Sequence, residues 1–250
     1  MKLDDVKKLH QKKYRAEFGH YLVEGEHLII ELQKALQHQA KPEARHITLY
    51  ITESRLDWAR ELSADFNLVV VSDKQMVKLS DTKTPQGVVA CVPFPALDQN
   101  NDSERPGERC IYLHEVQDPG NLGTIIRNLA WFGGFRLLLS PNSVDPFNSK
   151  VVRASMGAIF HLPIEVEVAI DALPQRFSNF AYLDLEGASI NTPEFGHYDC
   201  YLFGNEARGV PTESVTECHA DAFTIAGCGA IDSLNLANSV AICAYQLSVK

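Results

Sequence analysis

Leu202-Phe-Gly-Asn-Glu-Ala-Arg-Gly-Val-Pro211 joins a short apolar run to a glycine-bounded polar turn. With Tyr201 before it, Leu202 and Phe203 complete a short apolar run of the kind found in a parallel strand buried on both faces. Gly204 ends that run, and the polar residues Asn205, Glu206 and Arg208 follow. A strand that stops at a glycine turn with polar residues just beyond is where an open α/β sheet binds ligands. Glycine there lets backbone approach a ligand closely. A plain tight turn fits the same residues, and this stretch alone leaves both readings open.

Working outward, strands and helices alternate in both halves of the chain. Residues 3–18 read as a helix that ends near Gly19, and Tyr21–Val23 as a short strand. Residues 24–36 carry apolar side chains at helical spacing. Strands over 46–51, 68–71 and 87–92 alternate with helices over 54–64 and 73–79, the latter capped by Ser72-Asp73. This gives a small α/β/α domain over residues 1–93. Residues 94–108 are polar and proline-containing, and read as a linker. The second domain spans 109–250. Its strands fall at 110–114, 135–139, 163–168, 181–183, 201–203 and 222–225, and its helices at 121–132, 148–160, 170–178 and 233–249. Such alternation implies a mainly parallel sheet covered on both faces. In the closing helix Leu234, Ala237, Val240, Ala241, Ala244 and Tyr245 form an apolar stripe expected in the core.

Composition narrows the function classes. The chain has 250 residues, 45% hydrophobic and 22% charged, as in ordinary globular proteins. No apolar run is long enough to span a membrane, and the N-terminus lacks a signal-peptide pattern. The six cysteines are scattered, without a C-x-x-C pair, and the nine histidines show no metal-ligand spacing. A reducing cytoplasm and no metal site are expected. The net charge of −9 argues against a protein wrapped in nucleic acid. Residues 1–20 nevertheless hold six Lys/Arg (2, 7, 8, 12, 13, 15), either an RNA-contacting edge or a solvated helix face.

Two further stretches carry chemistry. In Asp118-Pro-Gly-Asn-Leu-Gly-Thr-Ile-Ile-Arg127, the Pro-Gly turn sets Asn121 near a helix N-terminus and Arg127 about two turns on. Ile231-Asp-Ser-Leu-Asn-Leu-Ala-Asn238 opens the last helix, with Ser233 as a candidate cap. Asn235, expected inside that helix, is a poor helix former there. The G-x-G-x-x-G and P-loop fingerprints are absent, as is the acidic glycine-rich loop of Rossmann-type methyltransferases.

In order, these three stretches resemble the motifs of the SpoU/TrmH branch of the SPOUT RNA methyltransferases. Val144–Gly157 also resembles a family segment. Residues 1–93 look like the L30e-like RNA-binding domain often fused to that enzyme, through Phe18–Gly25 and Thr84–Val89. The resemblance implies a trefoil knot in the C-terminal domain and a homodimer. It implies S-adenosylmethionine held by Leu202, Phe203, Gly204, Asn205, Glu206, Gly209, Ile225, Ala226, Gly227, Ser233, Leu234 and Asn235. It also implies methyl transfer to a ribose 2′-hydroxyl of structured RNA, with Arg127, Asn121, Glu206, Ser233 and Asn235 at the reaction centre. Ribosomal RNA is the favoured substrate, tRNA the enzymatic alternative. A non-catalytic RNA-binding ribosome-assembly protein is the rival from another class, and a generic α/β small-molecule enzyme a third reading. The expected architecture is therefore α/β, with a SPOUT domain and a smaller L30e-like domain.

Overall fold

A computed structural model describes residues 1–37, 44–95 and 107–249. In chain order the N-terminal half forms α1 (Leu3–Lys8), α2 (Lys12–Phe18), β1 (His20–Glu24), α3 (Glu26–Gln37), β2 (Thr48–Ile51), α4 (Leu56–Arg60), β3 (Asn67–Val70), α5 (Asp73–Leu79) and β4 (Val88–Pro93). The C-terminal half adds β5 (Arg109–Leu113), α6 (Pro119–Phe132), β6 (Phe135–Leu139), α7 (Ser149–Ala154), β7 (Ile164–Glu165), β8 (Phe180–Ser189), β9 (Cys200–Phe203), α8 (Thr212–Glu217), β10 (Asp221–Thr224) and α9 (Leu236–Ser248). These elements form two compact units. One takes in the N-terminal sequence and, further on, Asp145–His161. The other takes in the C-terminal sequence up to Val144 and from Leu162 onward. The linker expected over 94–108 lies for the most part outside the described residues.

The first unit is built on a mixed sheet ordered β1-β4-β2-β3, with β4 antiparallel to both neighbours and β2 parallel to β3. The single helix expected over 3–18 is two helices, broken around residues 9–11. Gly19 ends the second at φ +64°, a left-handed cap that glycine adopts without strain. Arg15, counted with the exposed basic residues, is buried. Its guanidinium pairs with Asp145 (Nη2–Oδ2 2.6 Å) and donates to the Leu9 carbonyl at 2.7 Å. A cation taken out of water must be matched in this way. Asp145 belongs to the segment that returns to this unit, where α7 packs against β1 and the Phe147 ring lies 4.8 Å from that of Tyr21.

The second unit holds a six-stranded, wholly parallel sheet ordered β10-β8-β9-β5-β6-β7. Side chains alternate along each strand. Cys110 and Tyr112 of β5, Leu138 of β6 and Cys200 and Leu202 of β9 share one core cluster with Leu173, Phe177, Val215 and Cys218. The intervening residues Ile111, Leu113, Leu137, Leu139, Tyr201 and Phe203 are buried as well. Burial on both faces explains why these strands read as apolar runs, interrupted in β6 by the buried Arg136.

The closing helix departs from expectation at its start and along its face. It begins at Leu236, and the side chain of Asn235, not Ser233, accepts from the amides of Ala237 (2.9 Å) and Asn238 (3.4 Å). Asn235 thus caps the helix from outside it. The buried stripe runs Ala237, Val240, Cys243, Ala244, Leu247, whereas Leu234 is 44% and Tyr245 57% exposed. The strand expected over 163–168 contracts to two residues, and that over 181–183 extends to ten.

Candidate active site

Three loops at the C-terminal ends of parallel strands bring the three sequence stretches together. After β5, Asp118 caps α6 by accepting from the Asn121 amide at 2.7 Å, which fixes the Asn121 backbone. After β9, residues 205–209 close a tight loop in which the amides of Asn205 and Gly209 each donate to the other's carbonyl, at 3.1 and 2.8 Å. Gly204 makes that loop possible. A Cβ there would stand 2.0 Å from the Gly209 carbonyl carbon and 2.2 Å from the Val210 nitrogen. Asn205, 8% exposed, ties the loop to the chain just beyond β5 by donating from Nδ2 to the Glu115 carbonyl at 2.9 Å.

The side chains then form a directed chain of hydrogen bonds. The Oδ1 of Asn235 is committed to capping α9, so its Nδ2 faces the Asn121 Oδ1 and donates to it at 2.9 Å. The Asn121 Nδ2 is thereby turned to the Glu206 carboxylate, to which it donates at 3.0 Å. Each amide has its orientation set by the previous partner. Asn235, Asn121 and Glu206 lie 85 to 114 residues apart in sequence along this chain, so its assembly requires the folded sheet.

Beside it lies a cavity of about 530 Å³ at the ends of β9 and β10 and against the middle of β8. That volume suits a cofactor-sized ligand. Nine of the twelve residues expected at the cofactor line it: Phe203, Gly204, Asn205, Glu206, Gly209, Ile225, Ser233, Leu234 and Asn235. Leu202 does not, because its side chain points into the core cluster on the other side of the strand. Ala226 and Gly227 are exposed and are not among the lining residues. The lining suits S-adenosylmethionine. Apolar side chains (Leu183, Phe203, Ile225, Leu234) accompany backbone groups reached past Gly204, with Asp184 and Glu206 as carboxylates for a cationic ligand.

The family model described as the SpoU rRNA Methylase family matches residues 108–245, and that of the MRM3-like substrate binding domain matches residues 2–90. The chain belongs to the SpoU rRNA methylase family. It is 28% identical over 250 residues to a Bacillus subtilis relative named 23S rRNA (guanosine(2553)-2'-O)-methyltransferase RlmP, covering 98% of this chain and 95% of that one. It is 33% identical over 173 residues to the mouse mitochondrial rRNA methyltransferase 3, covering 66% of this chain and 39% of that longer protein. The AdoMet-bound rRNA methyltransferase from Sinorhizobium meliloti superposes with a TM-score of 0.80 at 28% identity, covering 98% of this chain and 93% of that one.

In this SpoU chain Arg127 is exposed on α6 and outside the cavity lining. Its electrostatic surroundings single it out. Residues 98–144 and 162–250 hold seven Lys/Arg against 18 Asp/Glu. Among the described arginines of that unit, Arg136 is buried between Glu108 and Glu165, and Arg176 pairs with Glu165. Arg208 pairs with Glu115, and Arg109 donates to the Leu247 carbonyl. Alone of the five, the Arg127 side chain makes no hydrogen bond or ion pair among the described residues.

Sequence reasoning missed the wall that β8 contributes to the cavity. Leu183, Asp184 and Leu185 line it from a wide bulge, where the register with β10 jumps from Tyr182↔Ala222 to Ala188↔Phe223. Pairing resumes at Ala188, and at Gly187 just before it a Cβ would stand 2.5 Å from the Ala222 carbonyl oxygen. A glycine interrupting a strand pattern was the available signal. It lies beyond residue 183, where the strand was expected to end.

Proposed function

We propose that this chain is an S-adenosylmethionine-dependent methyltransferase that modifies a ribose 2′-hydroxyl of ribosomal RNA. The observation that carries the reading is the hydrogen-bonded series Asn235–Asn121–Glu206 beside a cofactor-sized cavity, in a unit whose one uncommitted described arginine is Arg127. The names of the relatives support ribosomal RNA as the substrate class.

S-adenosylmethionine bound in the cavity supplies an electrophilic sulfonium methyl group. The protein's task is then to orient the hydroxyl and remove its proton. A guanidinium is a cation and no base, so Arg127 has another task. It grips a phosphate of the target nucleotide through two parallel N–H···O bonds. A phosphate oxygen so held takes the proton of the 2′-hydroxyl. Asn121 orients the target ribose and is itself held by Asn235 and Glu206. Ser233, which lines the cavity, contributes a hydroxyl at the same end.

The first unit serves as the RNA reader. The sequence assigned to it carries 16 Lys/Arg against 14 Asp/Glu, a net positive balance in a chain whose other unit is strongly acidic. Phosphate contacts need such a surface. Lys7 and Lys8 are paired with Asp4 and Asp5, so the contact surface extends beyond the first helix. The active form is a homodimer joined through α6 and α9. Trp131, Ile242, Tyr245 and Val249 are 84, 38, 57 and 59% exposed, an apolar patch of the kind that marks an interface. The C-terminal chain forms the trefoil knot of the family. No described helix is long and apolar enough to cross a membrane. The six cysteines are free thiols, as the cytoplasm would keep them.

Methyl transfer to RNA by the Arg127→Ala variant tests this reading. The rate is expected to fall on the order of 10²–10⁴-fold with cofactor binding retained. Near-normal turnover in a folded Arg127→Ala protein overturns the assignment.

A further inference from the structure

Every ribose in RNA is flanked by two phosphates, and Arg127 accounts for one of them. The geometry points to Arg208 as the second phosphate contact, held in reserve by Glu115 until RNA arrives; we propose it as a substrate-positioning residue. The inference rests on the RNA reading above and deepens it.

Arg208 sits two residues beyond Glu206, in the loop whose carboxylate holds Asn121. Its guanidinium donates through Nη2 to the Glu115 Oε2, and its side chain remains 69% exposed. The other paired arginines of the unit are fixed more deeply: Arg136 is 4% exposed between two carboxylates. An exposed ion pair contributes little to stability, so a phosphate can take Arg208 from Glu115 at small cost. Glu115 is well held without it. Its carbonyl accepts from Asn205 and Gln117, its Oε1 accepts from Asn142 at 3.3 Å, and its amide donates to the Ser140 hydroxyl at 2.6 Å. The loop therefore keeps its shape when Arg208 changes partner. In an acidic unit this pairing also shields the cation from other anions until a polyanion competes for it.

The two partners make opposite predictions. Binding of the full-length protein to deproteinised ribosomal RNA, from a strain lacking it, is measured between about 50 and 200 mM salt. Arg208→Ala is expected to weaken binding roughly tenfold at low salt and to lower the salt slope by about one. Glu115→Gln keeps the acceptor for Asn142 but removes the competing charge, and is expected to tighten binding by about two- to fivefold. Both variants should bind S-adenosylmethionine within about twofold of the parent, since neither side chain lines the cavity. The inference is overturned if Arg208→Ala keeps the parental affinity and slope. It is equally overturned if both variants weaken RNA binding, which is the signature of a loop brace. A parent protein without affinity for any RNA defeats the substrate reading itself, and this inference with it.

Discussion

Asn235→Asp separates the two tasks that the Asn235 side chain performs. The Oδ1 caps α9 through Ala237 and Asn238, and the Nδ2 donates to Asn121 at 2.9 Å. Aspartate retains the capping oxygen and places a negative charge at a helix N-terminus, where it is favourable. It has no donor for the Asn121 Oδ1. If the Asn121 amide turns over to present its NH₂ to the introduced carboxylate, its oxygen faces the Glu206 carboxylate, so one end of the series is always acceptor against acceptor. Water meets the mismatched groups in the free protein, where Asn235 and Glu206 are exposed, so the cost of about 1–3 kcal/mol falls where bound cofactor and RNA exclude water. If the series positions reacting groups, the cost appears as a loss of roughly 5- to 150-fold in single-turnover methyl transfer. Thermal stability should change little, by under about 2 °C. Asn235→Ala, which loses the cap too, should melt about 2–4 °C lower, for a cost of about 1 kcal/mol. Single-turnover rates and melting curves on the three proteins suffice. An Asn235→Asp protein within about threefold of the parental rate, less than the smallest loss expected, would refute the idea that the amide series matters to catalysis.

Other perturbations reach the remaining parts of the account. Gly204→Ala forces a Cβ to within 2.0 Å of the Gly209 carbonyl carbon, so the 205–209 loop must move; overpacking of this kind costs about 1–3 kcal/mol. Calorimetric titration should show S-adenosylmethionine affinity reduced by an order of magnitude or more, and unchanged affinity would mean the cofactor does not use that loop. Asp145→Ala strands the buried Arg15 guanidinium and should destabilise the first unit by about 3–5 kcal/mol, measured by urea unfolding; a loss under about 1 kcal/mol would show the charge is well solvated. Tyr245→Asp puts a charge into the exposed patch on α9 and should convert a dimer to monomers in sedimentation, whereas an unaltered dimer would move the interface elsewhere.

The parallel sheet was legible because its strands are buried on both faces. Tyr201-Leu-Phe203 and Leu137–Leu139 announce themselves as apolar runs without reference to any partner. The start of α6 was nearly legible for a similarly local reason, the Pro-Gly turn at 118–121, although the helix begins at Pro119 rather than Asn121 and Asp118 is its cap. Features that depend on distant contacts were not. Arg15 looks like one more helix cation until Asp145, 130 residues on, arrives to bury it. The last helix lost its first turn because Asn235 outcompetes Ser233 for the cap, a choice made by the Asn121 contact as much as by local propensity. The stripe of that helix was misjudged by one position. Ala241 and Tyr245 share helical spacing with the core residues, yet the inward face passes through Cys243 and Leu247. At the site, the motif residues could be named from sequence, but their hydrogen-bond order could not. That order follows from the helix terminus consuming the side-chain oxygen of Asn235, which leaves only its NH₂ for Asn121.

Incubating the protein with labelled S-adenosylmethionine and RNA from a strain that lacks it, then mapping the 2′-O-methyl groups, tests ribose methylation itself. Label is expected at one ribosomal RNA nucleotide, on the ribose, and is lost with Arg127→Ala. Cofactor binding without label in any RNA, ribosomal precursors included, would contradict it, as would a methyl group found on a base.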